Sequence, residues 1–274
     1  MLAWVNPLLL YDTHCHLNLN NFQNDLEEVM QRARQAGVTR ILVPGIDLPT
    51  NQIALALAER YSEIHVAVGI HPNDGLTWSD ETLPQLRQMA EHPKVVAIGE
   101  IGLDYYRDRS PHDLQKTIFK AQLNLAAEIN LPVIIHNRDA IHDLWQILSN
   151  WQEELSTTRP LLSSRPGVLH SYDGTLQDAL TITNSHFLIG INGPVTFKNA
   201  FERQQVAAGI SETSLLLETD APFLTPHPHR GKRNEPSFVQ YINSKIADLR
   251  GISADRLAEI TIQNADRLFL WRAA

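Results

Sequence analysis

Eight short apolar runs recur along the 274-residue chain, and each is continuous rather than alternating. They are LLLYD (8–12), RILVPG (40–45), IHVAVGI (64–70), VVAIGE (95–100), PVIIH (132–136), GVLH (167–170), HFLIG (186–190) and LLLETD (215–220). An unbroken run of branched apolar residues needs apolar surroundings on both faces, which a strand finds inside a parallel sheet covered on both sides. The intervening segments carry helical spacing. NDLEEVMQRARQAG (24–37) opens with Asn and Asp and closes with Gly37, and SPHDLQKTIFKAQLNLAAEI (110–129) and RDAIHDLWQILSNW (138–151) follow the same pattern. The polar stretch QEELSTTRPLLSSRP (152–166) reads as a surface loop before the sixth strand. Strand and helix alternating from end to end predict an α/β fold, a (β/α)8 TIM barrel, as a single domain over 1–274 with residues 1–7 as a short leader. A doubly wound open sheet satisfies the same periodicity, because periodicity does not show whether a sheet closes.

Composition narrows the function. A net charge of −8 argues against coating nucleic acid by bulk electrostatics, although it leaves room for a local basic groove. A lone cysteine, Cys15, has no internal disulfide partner. The apolar start MLAWVNPLLL has no basic leader region or small-residue cleavage site, and no run reaches the roughly 18 apolar residues of a membrane span. A cytoplasmic protein is the expectation.

In a barrel of this kind chemistry gathers where strands end at the C-terminal face. Strand one ends in His14 and His16, strand three in His71, strand four in Glu100, strand five in His136, strand six in His170 and strand eight in Asp220. Residues two apart on a strand share a face, so His14 and His16 can reach one point while Cys15 turns toward the helices. Each histidine alone is as readily a hydrogen-bonded strand end as a ligand. With His71 set aside, four imidazoles and two carboxylates converging on one mouth predict a metal site, and they outnumber what one ion uses while keeping a position for water. Two divalent ions sharing a carboxylate account for the number. A nitrogen and oxygen set without thiolate suits Zn, Mn, Co or Mg.

These residues lie in motifs that resemble the TatD-type metal-dependent hydrolases, a branch of the amidohydrolase-like barrels. The resemblance runs from DTHCHL (12–17) through GIHP (69–72), AIGEIGLDYYRD (97–108), PVIIHNRDA (132–140) and ETDAPFLTP (218–226) to PHRGKRNEP (228–236). It implies a two-metal phosphodiesterase acting on DNA, most simply as a 3′-5′ exonuclease on single strands or DNA ends. His14, His16 and Asp220 would hold one ion with Glu100, His136 and His170 the other, and Glu100 would bridge. Where the family usually has His-Cys-Phe-Ser-Gly, this chain reads HSYDG (170–174), which keeps the ligand and alters the wall beside it. HLN (16–18), where an acidic residue is common, is a milder departure.

Two ions can clamp the attacking and leaving oxygens of an in-line displacement and lower the pKa of a water. Asp220 is then the first candidate to accept the water's proton, with Glu100 second. His71, Arg138, Arg230 and Lys232 are candidates for holding substrate phosphates. His71 has an alternative as a loop-shaping residue before Pro72, and Arg138 as a partner that orients a ligand. Asn234, Glu235 and Pro236 read as a helix start, and Tyr105 and Tyr106 as base-stacking or loop-packing aromatics. Two other functions fit the same metals: a deacylase or amidohydrolase, such as an aminoacyl-tRNA deacylase, and a non-catalytic metal-binding barrel. No obligate protein partner is evident.

Overall fold

Both faces of the apolar runs are buried, each against a different layer. The computed structural model describes residues 8–107 and 109–271, so the expected leader lies outside the described residues. The strands are β1 (Leu10–Asp12), β2 (Val38–Pro44), β3 (Ile64–Val68), β4 (Val95–Asp104), β5 (Val133–Arg138), β6 (Gly167–Leu169), β7 (Leu188–Ile191) and β8 (Leu215–Leu217). They pair in parallel and in chain order within one sheet. The helices are α1 (Leu26–Gln35), α2 (Leu48–Arg60), α3 (Thr82–Met89), α4 (His112–Ile129), α5 (Ile141–Thr158), α6 (Pro160–Ser163), α7 (Leu176–Asn184), α8 (Phe201–Gly209), α9 (Val239–Arg250) and α10 (Ala254–Phe269).

Strand alternation sorts the core. Leu42, Ala67, Val96, Ile134, Val168, Leu188 and Leu216 meet inside the sheet, while neighbours such as Val133, Ile135, Ile189 and Leu217 pack in the layer toward the helices. Each fully buried side chain of this size contributes about 1.5–3 kcal/mol. Ala265, Leu268 and Phe269 of α10 join the inner cluster. Trp271 packs with its ring 4.7 Å from His65 and 5.9 Å from Tyr11, near the starts of β3 and β1, so this end of the barrel is plugged. The opposite end is left for chemistry.

The sheet closes between β1 and the segment after β8. The Thr13 amide and hydroxyl donate to the Leu217 carbonyl at 3.0 and 2.9 Å, the Asp220 amide to His14 at 2.8 Å, and the His16 amide to Ala221 at 2.7 Å. Asp12 fastens this seam, accepting the Thr219 amide at 2.8 Å and its hydroxyl at 2.5 Å. Burial pushes the Asp12 carboxyl up to about 8 against the pull of those bonds and of the His14 amide.

Four sequence expectations change. Residues 152–158 extend α5 and 160–163 form α6, because the buried stripe Leu148, Trp151, Gln152 and Leu155 runs on through the polar residues. The hydroxyls of Ser156, Thr157 and Thr158 bond back to the carbonyls of Glu153 and Glu154, which lets these residues sit inside a helix. Strand four does not end at Glu100 but continues to Asp104, its pairing with β5 shifting register between Ile98 and Ile101. Asp25 precedes α1 without capping it, since its carboxylate is engaged by Arg233 at 2.7 and 2.6 Å. Nor does Asn234 cap a helix: its amide donates to the carbonyls of Thr219 and Phe223 at 2.9 and 2.6 Å, tying down the β8 loop.

Thr219→Val leaves the buried Asp12 short of one donor at the seam. Urea unfolding of this variant should show a loss of about 1–3 kcal/mol with an unchanged slope.

Candidate metal centre

The inner apolar layer fixes what stands above it. Residues two further along a strand share its face, so Ile134, Val168 and Leu216 place His136, His170 and Glu218 toward the mouth. His14 and His16 follow β1 with the same spacing, and Cys15 between them faces the outer layer, buried against the helices. Burial pushes its thiol well above the ordinary value, leaving it inert. Asp220 turns back toward the histidines through a left-handed residue of φ 57°, a conformation Asp tolerates better than most.

All six residues expected as ligands meet in two adjoining groups. The Nε2 atoms of His14 and His16 are 3.1 Å apart. They lie 3.4 and 3.5 Å from Glu100 Oε2, and 3.9 and 3.5 Å from Asp220 Oδ1. In the second group Glu100 Oε1 lies 2.9 Å from His136 Nδ1 and 2.7 Å from His170 Nε2, which are 3.4 Å from each other. Ligand atoms about 2.1 Å from a tetrahedral ion stand about 3.4 Å apart, so both groups have the spacing and the donors to hold a divalent cation. Glu100 offers one oxygen to each.

Electrostatics fit the same occupant. Burial by itself would raise the Glu100 carboxyl, but the imidazoles of His170 and His71 and hydrogen bonds from His136 and His14 hold it well below the usual range. Against burial, Glu100 and Glu218 raise His170 well above its ordinary value, and Asp104 and Glu100 raise His136. Burial lowers His14, assisted by the charge of His170, whose ring stacks on it at 3.8 Å. Two buried carboxylates therefore remain ionised by sharing positive charge with imidazoles, the charge a metal cation would carry.

Sequence reasoning missed the residues behind the candidate ligands. Asp104 Oδ2 lies 3.3 Å from His136 Nε2 and accepts from the Asn73 side-chain Nδ2 at 2.9 Å, and Oδ1 accepts the Tyr106 and Arg107 backbone amides. It reaches His136 because β4 is longer than its apolar run. Glu218, fully buried, faces His170 Nδ1 at 3.7 Å and accepts the Ser171 amide at 2.5 Å. A Cβ at residue 190 would lie 2.2 Å from Glu218 Oε2, so Gly190 leaves room for that carboxylate. The two-residue step from Leu216 was the available signal for Glu218.

The phosphate candidates divide. His71 Nδ1 accepts the Asn73 amide at 3.1 Å, which puts its proton on Nε2, 3.5 Å from Glu100 Oε1. It both starts the 3-10 turn Pro72–Thr77 and faces the centre. Burial and His136 lower it to about 4, so it is a neutral donor near pH 7. Arg138 is exposed at the end of β5 with its guanidinium 5.0 Å from the Tyr106 ring centre. Arg230 stacks at 4.4 Å over Phe197, and Lys232 is exposed. In HSYDG, Tyr172 is buried with its hydroxyl on the Thr175 carbonyl at 3.1 Å, and Asp173 lies 3.6 Å from Arg203.

The sequence profile of the TatD-related DNases matches residues 11–270. A Bacillus subtilis protein described as the uncharacterized metal-dependent hydrolase YabD is 45% identical over 95% of this chain and 99% of its own. The 3′-5′ ssDNA/RNA exonuclease TatD of Erwinia tasmaniensis is 38% identical, with coverage of 95% and 99%. The crystal structure of YjjV, a TatD homologue from Escherichia coli K12, superposes with a TM-score of 0.87 at 36% identity, over 95% of this chain and 98% of that one. With eight parallel strands closed into a barrel and a mouth lined by imidazoles and carboxylates, this chain belongs to the TatD-related DNase family of metal-dependent hydrolases.

Proposed function

We propose that the chain is a two-metal nuclease that removes nucleotides from the 3′ ends of single-stranded DNA, and of RNA where offered. The observation that carries this is Glu100, whose two oxygens face two separate imidazole groups. His14, His16 and Asp220 would hold one ion with Glu100 Oε2, and His136 and His170 the other with Glu100 Oε1. Zn, Mn, Co and Mg all suit this set. Bound there, the ions supply a clamp on the attacking and leaving oxygens and an acidified water.

The protein's own groups supply the rest. Glu100 has imidazoles against both oxygens, which makes it a poor proton acceptor, whereas Asp220 engages His16 through Oδ1 and lies nearer the open mouth. Asp220 is therefore assigned the water's proton. The His71 Nε2 proton and the exposed Arg138 guanidinium supply donors for phosphate oxygens, and Arg230 and Lys232 for flanking ones. Asp104 and Glu218 orient His136 and His170 from behind. Exonuclease polarity and single-stranded substrate rest on the name of the Erwinia relative. No observation favours carbonyl chemistry or a non-catalytic barrel. The protein is assigned to the cytoplasm as one barrel domain with no obligate partner, and among the described residues no helix is long and apolar enough to cross a membrane.

End-labelled single-stranded DNA should survive the chelated enzyme and be shortened stepwise when Mg, Mn or Zn is restored. A His14→Ala/His16→Ala variant should remain inactive, and metal-independent cleavage would overturn the assignment. Asp220→Asn should lower kcat by at least about 100-fold while circular dichroism stays native. His71→Ala and Arg138→Ala should raise KM for DNA, and an unchanged KM would remove their phosphate role.

Metal uptake also has a required sign. Against burial, Glu100, Glu218 and Asp104 favour the protonated forms of His170 and His136, so a cation binding there competes with protons. Apparent metal affinity should therefore rise with pH and fall as the solution is acidified. Calorimetry at pH 7 in buffers of different ionisation enthalpy should register proton release, and none would contradict this charge balance.

A further inference from the structure

Beside the metal centre, the loops after β7 and β8 form a cleft of about 650 Å³ lined by Phe197, Lys198, Arg203, His227 and Arg230 among others. The two loops are pinned together: a Cβ at Gly193 would lie 1.8 Å from the Leu224 carbonyl, an approach only glycine permits. The loop after β8 that gives His227 and Arg230 to the cleft also gives Phe223 to the edge of the centre. The Phe223 amide donates to the Asp220 carbonyl at 2.9 Å, and its ring, 51% exposed, lies edge-on to His16 at 6.2 Å. Leu224 follows, and the Arg230 guanidinium covers Phe197 at 4.4 Å.

The charge here opposes that of the chain. Residues 192–201 and 221–234 contain no Asp or Glu, although the protein carries a net charge of −8. Arg203 is anchored by the Tyr172 carbonyl at 3.0 Å and by Asp173, while among the described residues no carboxylate pairs with Arg230 or Lys198. Phe223 is exposed, Phe197 is half-buried under Arg230, and among the described residues Arg230 and Lys198 have no carboxylate partner. Together these rings and cations match a chain of stacked bases joined by phosphates. A separate cleft of about 420 Å³ between α4 and α5 differs in that its Lys116 and Asp143 pair with each other at 3.2 Å.

We infer that this cleft is a binding track for single-stranded nucleic acid, taking the nucleotides on the 5′ side of the one being removed. The assignment rests on the nuclease function proposed above. The first base lies against Phe223, the next against the Phe197–Arg230 pair, and the phosphates between them meet Arg203, Arg230 and Lys198. A base inside a duplex has both faces covered by its stacked neighbours, so the track selects single strands. The cations make its occupancy fall with added salt.

The test is steady-state kinetics of the metal-loaded enzyme on oligothymidylates of two, four and eight nucleotides, with anisotropy of the same labelled strands. Wild-type KM should fall from two to four nucleotides. Phe197→Ala/Arg230→Ala should raise KM for the longer strands about tenfold, a larger change than that in kcat, and flatten the length dependence. Phe197→Tyr should keep the wild-type profile and Phe197→Leu should lose it, which separates stacking from loss of packing. Variants with the wild-type length dependence would overturn the track. If wild-type enzyme cleaves no oligonucleotide with any metal, the nuclease proposal fails, and anisotropy then decides the track: tenfold weaker binding by the double variant sustains it, equal binding ends it.

Discussion

The bond between Asp12 and Thr219 joins residues 207 positions apart and is what the site depends on. Until that seam forms, the first strand with His14 and His16 and the last segment with Asp220 are opposite edges of an open sheet. Once it forms, the backbones cross-bond at His14–Asp220 and His16–Ala221, and three ligand-type side chains arrive within 4 Å of one another. A buried carboxylate is an expensive fastener, since burial alone pushes it toward its neutral form. Its use at the seam ties barrel closure to assembly of the site.

The centre is an exercise in sharing buried charge. Glu100 and Asp220 are both at most 9% exposed, and ionised carboxylates at such positions need opposite charge in contact. Imidazoles provide it in a form that a metal cation can replace, because each is a neutral ligand once deprotonated. The surrounding shell keeps the rings in place: Asp104 stands behind His136 and Glu218 behind His170, each fixed by backbone amides. The same logic of local charge operates at the mouth. Cations concentrate on the acid-free stretches 192–201 and 221–234, while Arg32 and Arg233 pair with Glu235 and Asp25 and fasten the β8 loop to α1.

Sequence alone determined the strand and helix alternation and the six ligand-type side chains, because both depend on short-range rules. An unbroken apolar run has only a buried strand or helix to occupy, and a two-residue step on a strand must return to the same face. What sequence could not decide is what depends on contacts between distant segments. Closure rests on the 12–219 seam. The length of β4, and with it the position of Asp104 behind His136, rests on pairing with β5 beyond the apolar run. The extension of α5 through 152–158 rests on a stripe whose apolar character is completed by a buried Gln152. Asp25 and Asn234 have the composition of caps but are taken by partners far away in the chain, Arg233 and the carbonyls of Thr219 and Phe223. Local chemistry thus chose the candidate ligands, and tertiary contacts decided which of their neighbours stand behind them.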